Sequence, residues 1–312
     1  MKILISGIAG FVGYYLINEL LALKHTIFGI DTLQPPYEIL QKISFTKCNI
    51  TDDKLIKELI TEFKPDYIFH LAAISSVSKS WENKKSTYLI NILGTYNILE
   101  SCLYLSYKPK ILLIGSAEEY GKVKLKKPIT EEIPLNGFTP YAISKITQEY
   151  LGTHYFITYG LPIFKTRSFN HTGPGQNELF VCSSFCKQVA EIELLNKEPI
   201  IYVGNLLAYR DFSDVRDVVK AYITIIEKGI PNKVYNVCSM TTYSIREILN
   251  IILSFSNKRI KIVKDKSRFR KVEIPFLMGS NIKLRRLGWK PIYSINQTLL
   301  DTLNYWRNKY KK

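Results

Sequence analysis

No stretch of this 312-residue sequence strings together the ~18 apolar residues that a membrane-crossing helix needs. Its amino terminus, MKILISGIAG, has one lysine and an apolar run interrupted by glycines, so a strand is expected there and not a secretory leader. Cysteine is sparse: Cys48, Cys102, Cys182, Cys186 and Cys238 are odd in number and scattered, which argues against a disulfide frame and for free thiols in a reducing cytoplasm. His25, His70, His154 and His171 lack the spacing of metal ligands, and no metal is expected. Glycine (16) and proline (13) form no periodic tract and no internal repeat is present, which excludes collagen-like and repeat architectures. Hydrophobic content of 46% excludes a disordered chain.

Acid is also in short supply. Against 43 Lys/Arg stand 27 Asp/Glu, a formal net charge of +16. The excess is concentrated in Phe255–Lys312, where sixteen Lys/Arg face only Asp265, Glu273 and Asp301, a net of +13. Such a balance raises nucleic acid as a partner, but no helix-turn-helix, zinc or aromatic single-strand signature accompanies it. The Lys122–Lys127 cluster reads as a solvated loop, and Cys182 and Cys186, four apart on one helix face, read as packing.

What is there is an alternation of strand and helix. Lys2–Ser6, His25–Asp31, Tyr67–Ala73 and Lys110–Gly115 read as four strands, separated by helical spacing over Phe11–Leu23, Asp52–Phe63 and about Glu82–Leu105. This order implies a parallel α/β sheet with helices on both faces. A polar loop spans Ser116–Pro140, followed by a helix at Tyr141–Thr158, a strand at Leu161–Ser168 and a turn at Thr172–Gln176. Later helices are expected at Phe180–Leu195, Asp214–Lys228, Ser244–Ser254 and Ile295–Lys309, with strands near Ile200–Val203 and Val234–Val237. The regular first half suggests a nucleotide domain over 1–168, joined by later segments at about 212–240. A second, substrate lobe is expected from 169–211 and 241–312.

Two groups of residues carry chemistry. Gly7-x-x-Gly10-x-x-Gly13 follows the first strand and opens a helix, where glycines let backbone N–H groups approach a pyrophosphate at the helix N-terminus. Asp31 closes the second strand, placed to accept from a ribose 2′-hydroxyl, and no arginine follows it, which favours NAD(H) and leaves NADP(H) possible. Tyr141 and Lys145 lie one helical turn apart. An ammonium beside a phenol is expected to lower its pKa toward the working range for acid–base chemistry on a carbonyl/alcohol pair.

With His70-Leu71-Ala72-Ala73, Ser116, Arg210-Asp211-Phe212, Asp214-Val215-Arg216-Asp217 and Leu287-Gly288-Trp289-Lys290-Pro291, these residues resemble, nearly end to end, the extended short-chain dehydrogenase/reductases acting on nucleotide sugars. Gly115–Gly121 (GSAEEYG), Phe169–Gln176 (FNHTGPGQ) and Glu198–Leu206 (EPIIYVGNL) are most similar to the GDP-6-deoxy-4-keto-D-mannose reductases of that family. The resemblance implies a Rossmann-type, doubly wound parallel sheet with a smaller C-terminal substrate-binding lobe of mixed α/β. It implies NAD(P)H-dependent reduction of a GDP-6-deoxy-4-keto-hexose to GDP-D-rhamnose or a close epimer, for polysaccharide biosynthesis.

The family's roles carry over residue by residue. Ser116 would hydrogen-bond the sugar C4 oxygen, Tyr141 would donate the proton, and Lys145 would hold the nicotinamide ribose. Glu118 stands where the related dehydratases keep a catalytic glutamate. Phe11, Val12, Leu71, Ala72 and Ala73 would line the cofactor, Asn49 and Ile50 would flank its adenine, and Asn91 would support the site. Asn49 departs from the usual aspartate, although an amide oxygen still accepts. Ser75, Asn170 and Val181 would meet the sugar nucleotide, Arg210 and Arg270 would clamp its diphosphate, and Glu273 would take a ribose hydroxyl. Lys271-Val272 replaces the common Arg-Pro pairing before that acid.

A GDP-mannose 4,6-dehydratase and an epimerase stay open, since Glu118 fits both sides. Ala117 argues against the dTDP-glucose dehydratases, which carry an aspartate there. A non-catalytic NAD-binding regulator would be expected to lose Tyr141 or Lys145. The resemblance also implies a cytoplasmic homodimer joined through helices near Glu82–Leu105 and Tyr141–Thr158, with no membrane or nucleic-acid partner.

Overall fold

The computed structural model describes residues 1–123, 127–269 and 274–311. Thirteen strands are present among them: β1 (Lys2–Ser6), β2 (Thr26–Asp31), β3 (Ser44–Lys47), β4 (Tyr67–His70), β5 (Lys110–Ser116), β6 (Ile163–Ser168), β7 (Asn170–Thr172), β8 (Ile200–Val203), β9 (Tyr209–Asp214), β10 (Val234–Val237), β11 (Thr242–Ser244), β12 (Lys261–Lys264) and β13 (Phe276–Leu277). Seven form one parallel sheet in the order β10-β6-β5-β4-β1-β2-β3. The fold is the expected Rossmann-type α/β arrangement.

The central strands are buried on both faces, which is why they read as unbroken apolar runs. Ile3 and Ile5 of β1 point into one core with Leu16, Leu20, Val218 and Ile225, while Leu4 points into the other with Ile56, Ile98, Leu113 and Ile163. Helices Phe11–Ala22 and Val215–Lys228 cover the first face; Asp53–Phe63, Gly94–Cys102 and Pro140–Tyr159 cover the second. Local chemistry fixes the helix ends. Asp52 caps one through Leu55 N at 3.1 Å, and Thr139 caps the Pro140–Tyr159 helix through Ala142 N at 3.0 Å.

Three sequence readings need correction. Strand β3 was not expected: Ser-Phe-Thr-Lys is short and pairs only with β2 at the sheet edge, so little apolar patterning is required of it. The strand expected to reach Ala73 ends at His70, because Leu71–Ala73 leave the ladder to line the cleft. The helix expected over Glu82–Leu105 runs continuously from Lys84 to Cys102, with a π-turn at Leu89–Leu93 within it, and a separate short helix, Val77–Glu82, precedes it. π-Turns of this kind concentrate at functional sites, and this one holds Asn91.

A separate apolar core gathers Cys182, Phe185, Cys186, Val189, Ile248, Leu303 and Trp306. Beside it, β9 pairs with β7, β11 and β13, and β8 pairs with β12. Lys261 and Lys264 stand exposed on β12, an edge strand, where lysine opposes pairing with a foreign strand. Part of the basic surplus therefore has a structural use. Arg307 is likewise held by Glu193 at 2.7 Å, and Arg216 by Asp214 at 2.7 Å and Asp301 at 2.8 Å.

Candidate active site

The strand order reverses about β1, whose neighbours β2 and β4 leave in opposite directions, and ligands bind such sheets in the crevice beyond the strand ends there. A cleft of about 1380 Å³ opens at that place, lined by the ends of β1, β2, β4, β5 and β6 and by residues of the second core. It is larger than the cavity one small ligand requires.

At one end lies the glycine loop. Gly7 has φ +76°, and a Cβ there would lie 2.5 Å from Ala72 N, so only glycine allows the chain to turn this close to the segment after β4. A Cβ at Gly13 would meet Ile8 O at 2.3 Å. Around Gly10 there is more room, with only Gly7 O at 3.2 Å, which leaves the helix N-terminus open to a phosphate. Asp31 folds over the loop, its Oδ2 accepting from Ala9 N at 2.9 Å and its Oδ1 from Leu33 N at 3.0 Å. This is the cradle a dinucleotide requires. Phe11, Val12, Asn49, Ile50, Leu71, Ala72 and Ala73 line the same stretch, and Asn49 Oδ1 already accepts from Thr51 N at 3.1 Å.

Beneath it, His70 is buried with Ser6 at Nδ1 (2.7 Å) and Thr95 at Nε2 (2.9 Å). Thr95 gives its own proton to Asn91 O at 2.7 Å, so its oxygen accepts from Nε2–H and Ser6 donates to Nδ1. Burial, and then the Lys145 charge, push the imidazole pKa down to about 3, so the ring is neutral. A depressed pKa contributes stability above the unfolded value near 6.5 that is lost as pH falls toward 3. Moving from pH 7 to pH 5 should therefore cost about 2 kcal/mol through this residue. In His70→Gln, urea unfolding at the two pH values should lack that increment; an unchanged pH slope would exclude His70 as its source.

The reactive groups converge at the end of β5. Ser116 closes the strand, and its hydroxyl hydrogen-bonds the Tyr141 side chain from the opposing helix. Lys145, one turn further, donates to Ile114 O at 2.7 Å and to Gln148 Oε1 at 2.9 Å. Glu118 is half-buried on the cleft wall. Asn91 holds the assembly from behind: it accepts from Ile74 N at 2.8 Å and donates to Ser144 Oγ at 2.9 Å, while Ser144 donates to Tyr141 O at 2.7 Å.

One expectation is reversed. Lys145 was expected to lower the Tyr141 pKa, but the phenol lies above its ordinary value. Burial raises it, the Ser116 hydrogen bond partly offsets this, and the nearby Glu119 and Glu118 charges raise it again. Burial instead pushes Lys145 down to about 8, against a smaller upward pull from Glu119. Lys145 points its N–H groups at a carbonyl and an amide and not at the phenol, and burial decides the direction of both shifts.

Ser75, Asn170, Val181 and Arg210 line the same cleft, and Arg210 is buried with Nη1 donating to Tyr209 O at 2.8 Å. Arg270 and Glu273, also expected at the substrate, lie outside the described residues, as do Lys271, Val272, Lys124 and Lys126. The structure adds cleft residues that sequence reading missed, among them Trp81, Tyr202 and Arg268. Trp81 and Arg268 sit in no recognisable spacing, and Tyr202 lies within the EPIIYVGNL segment without a role assigned to it there. Trp81 is placed beside the Pro140–Tyr159 helix because the neighbouring Ser80 accepts from Tyr141 N at 3.3 Å.

The model of the GDP-mannose 4,6 dehydratase family matches residues 4–302. The chain belongs to this family. It is an enzyme of the extended short-chain dehydrogenase/reductase type. It is 32% identical to the GDP-6-deoxy-D-mannose reductase of Pseudomonas aeruginosa, over 100% of this chain and 99% of the relative. It is 29% identical to the GDP-6-deoxy-D-talose 4-dehydrogenase of Aggregatibacter actinomycetemcomitans, over 91% and 90%. The solved structure of RMD from Pseudomonas aeruginosa complexed with NADPH superposes with a TM-score of 0.87 at 32% identity, covering 99% of both chains.

Proposed function

We propose that this family member reduces the 4-keto group of a GDP-6-deoxy-4-keto-hexose, giving GDP-D-rhamnose or a close epimer. The carrying observation is the Ser116 hydroxyl bonded to a buried, protonated Tyr141 at the cleft floor. The names of its relatives, a GDP-6-deoxy-D-mannose reductase and a GDP-6-deoxy-D-talose 4-dehydrogenase, support the same substrate class.

Bound along Gly7–Gly13 and Asp31, a nicotinamide cofactor supplies the hydride. The chain's own residues do the rest. Ser116 orients the C4 oxygen by a hydrogen bond, Tyr141 hands its proton to that oxygen as charge develops, and Lys145 places a cation one turn away. Arg210 would take the diphosphate, with Asn170 and Val181 lining the same cleft. Asp31, at the end of β2 with no following arginine, favours NADH over NADPH, although the Pseudomonas structure holds NADPH. Titration with each cofactor separates the two.

Incubating the enzyme with NADH or NADPH and GDP-4-keto-6-deoxymannose should oxidise one cofactor per sugar reduced. A 4-keto product formed from GDP-mannose alone, without net cofactor change, would replace this reading by a dehydratase. Glu118 on the cleft wall keeps that alternative in view.

The lobe division follows the same reading: 1–168 with 212–240 hold the cofactor, and 169–211 with 241–312 hold the sugar nucleotide. It is supported by β10 joining the main sheet and by the separate core around Phe185 and Trp306. Five free, buried cysteines suit the cytoplasm, and among the described residues no helix is long and apolar enough to cross a membrane.

A homodimer also belongs to this proposal. Ile143, Tyr150 and Ile157, seven residues apart, form one exposed stripe on the Pro140–Tyr159 helix, with Tyr150 66% and Ile157 71% exposed. Leu89, Leu93 and Tyr96 extend the apolar surface on the neighbouring helical segments. Ile157→Asp should weaken self-association at least about tenfold in sedimentation equilibrium. A wild-type chain that sediments as a 36.1 kDa monomer would sink the dimer.

A further inference from the structure

Directly beneath Ser116 lies a carboxyl that the mechanism above does not use. Glu119 is fully buried, under the end of β5 and against the catalytic helix. Its Oε1 accepts from Ser116 N, the backbone of the residue whose hydroxyl meets Tyr141. Its Oε2 is buried without a hydrogen-bond partner. The packing is close on the strand side as well: a Cβ added at Gly115 would fall 2.5 Å from Oε1.

The charged groups around it come from three elements. From β6, Arg167 Nε stands 3.9 Å from Oε2, but that guanidinium is already committed to Glu149, with Nη2 at 2.7 Å and Nε at 2.9 Å. From the catalytic helix come Glu149, Lys145 and Tyr141, and from β6 also Lys165, all of which interact electrostatically with Glu119. Glu118 is its chain neighbour. A carboxylate at this position would be poorly compensated by Arg167, so the acid form is the one the site accommodates.

Resting on the reductase reading, we propose that Glu119 is a positioning residue: one oxygen fixes the Ser116 peptide under the C4-oxygen site, and the carboxyl, on ionising as pH rises, sustains the ammonium of Lys145. Neutral at neutral pH, Glu119 acts as a hydrogen-bonding strut. Burial first, and then the Glu149 charge, push its pKa up to about 8, close to that of Lys145. As pH rises through that region, loss of the Glu119 proton favours retention of the Lys145 proton. The two groups therefore titrate as a pair. Glutamine keeps the acceptor for Ser116 N but cannot ionise; alanine keeps neither function.

In Glu119→Gln, kcat at pH 7 should stay within about threefold of wild type, while the alkaline limb of the kcat profile moves down by about 1 pH unit, the scale of one lost neighbouring charge. Glu119→Ala should lose tenfold or more in kcat, and Glu119→Gln is the conservative rescue. A Glu119→Gln profile that superimposes on wild type would falsify the proposal, as would equal kcat loss in both variants. Infrared titration of the wild-type protein needs neither turnover nor a folded variant. A protonated-carboxyl carbonyl band at pH 7 that fades by pH 9 is expected, and its absence at pH 7 overturns the proposal. Wild-type turnover is measured first. If wild-type enzyme fails to reduce the 4-keto sugar, the functional reading falls, whereas the infrared band still reports on Glu119.

Discussion

Tyr141→Phe should lower kcat for reduction of the 4-keto sugar by about 10²–10⁴, the usual contribution of a positioned general acid. The ring stays, so packing against the short Val77–Glu82 helix and the N–H bond to Ser80 at 3.3 Å are unchanged. Only the phenolic hydroxyl and its bond to Ser116 are removed, and stability should change by no more than about 1 kcal/mol. Cofactor affinity should be unaffected, because the glycine loop and Asp31 are untouched. Steady-state rates from nicotinamide absorbance, with a fluorescence titration of cofactor, check both parts. A variant within tenfold of wild type would remove Tyr141 from the proton-transfer role. Because burial holds Tyr141 protonated well above neutrality, the alkaline limb of the wild-type profile should report the pair formed by Lys145 and Glu119.

Arg167→Met should destabilise the fold by about 3–5 kcal/mol, the cost of breaking a buried ion pair from one side. Arg167 is 5% exposed and joins four parts of the chain. It holds Glu149 of the catalytic helix bidentately, donates to Tyr120 OH at 3.0 Å and to Glu131 O at 3.0 Å, and lies 4.9 Å from the Tyr120 ring centre. Tyr120 passes the network on to Asn236 Oδ1 at 2.7 Å. Methionine fills much of the volume and none of the charge. Glu119 supplies a pH signature. Its folded pKa lies above the unfolded value of 4.5, so its contribution is present below 4.5 and is lost as pH rises toward about 8. Removing Arg167, which lowers that pKa, extends the loss above pH 8. Urea unfolding should therefore show a larger gap between variant and wild type at pH 9 than at pH 7. A gap under about 1 kcal/mol at both would make the network incidental.

Much of this was legible in the chain. A strand buried on both faces must be apolar throughout, so β1 could be bounded to the residue from sequence, while β8 and β10 showed as short, mostly apolar runs. Helices declared themselves by their period, as over Tyr141–Thr158 and Asp52–Phe63, and the structure supplied their caps at Thr139 and Asp52. Gly7, Asp31, Ser116, Tyr141 and Lys145 were legible because each sits at a strand or helix end, where one residue type serves one geometric need. The edge strand β3 and the strands β7, β9, β11, β12 and β13 were not, because edge pairing and ladders of two to four residues place few demands on composition.

The parallel α/β sheet, the glycine turn and the placing of Tyr141 and Lys145 on one helix face could be had from the chain alone, because they follow from local periodicity and from single-residue requirements such as the positive φ at Gly7. Tertiary structure alone decided the electrostatics. Two adjacent glutamates read alike on the page, yet Glu118 lines an open cleft while Glu119 is sealed beneath Ser116. The direction of the Tyr141 and Lys145 shifts was likewise out of reach. Spacing places a cation near a phenol, but desolvation depends on everything packed around them, and here it outweighs the attraction between the two.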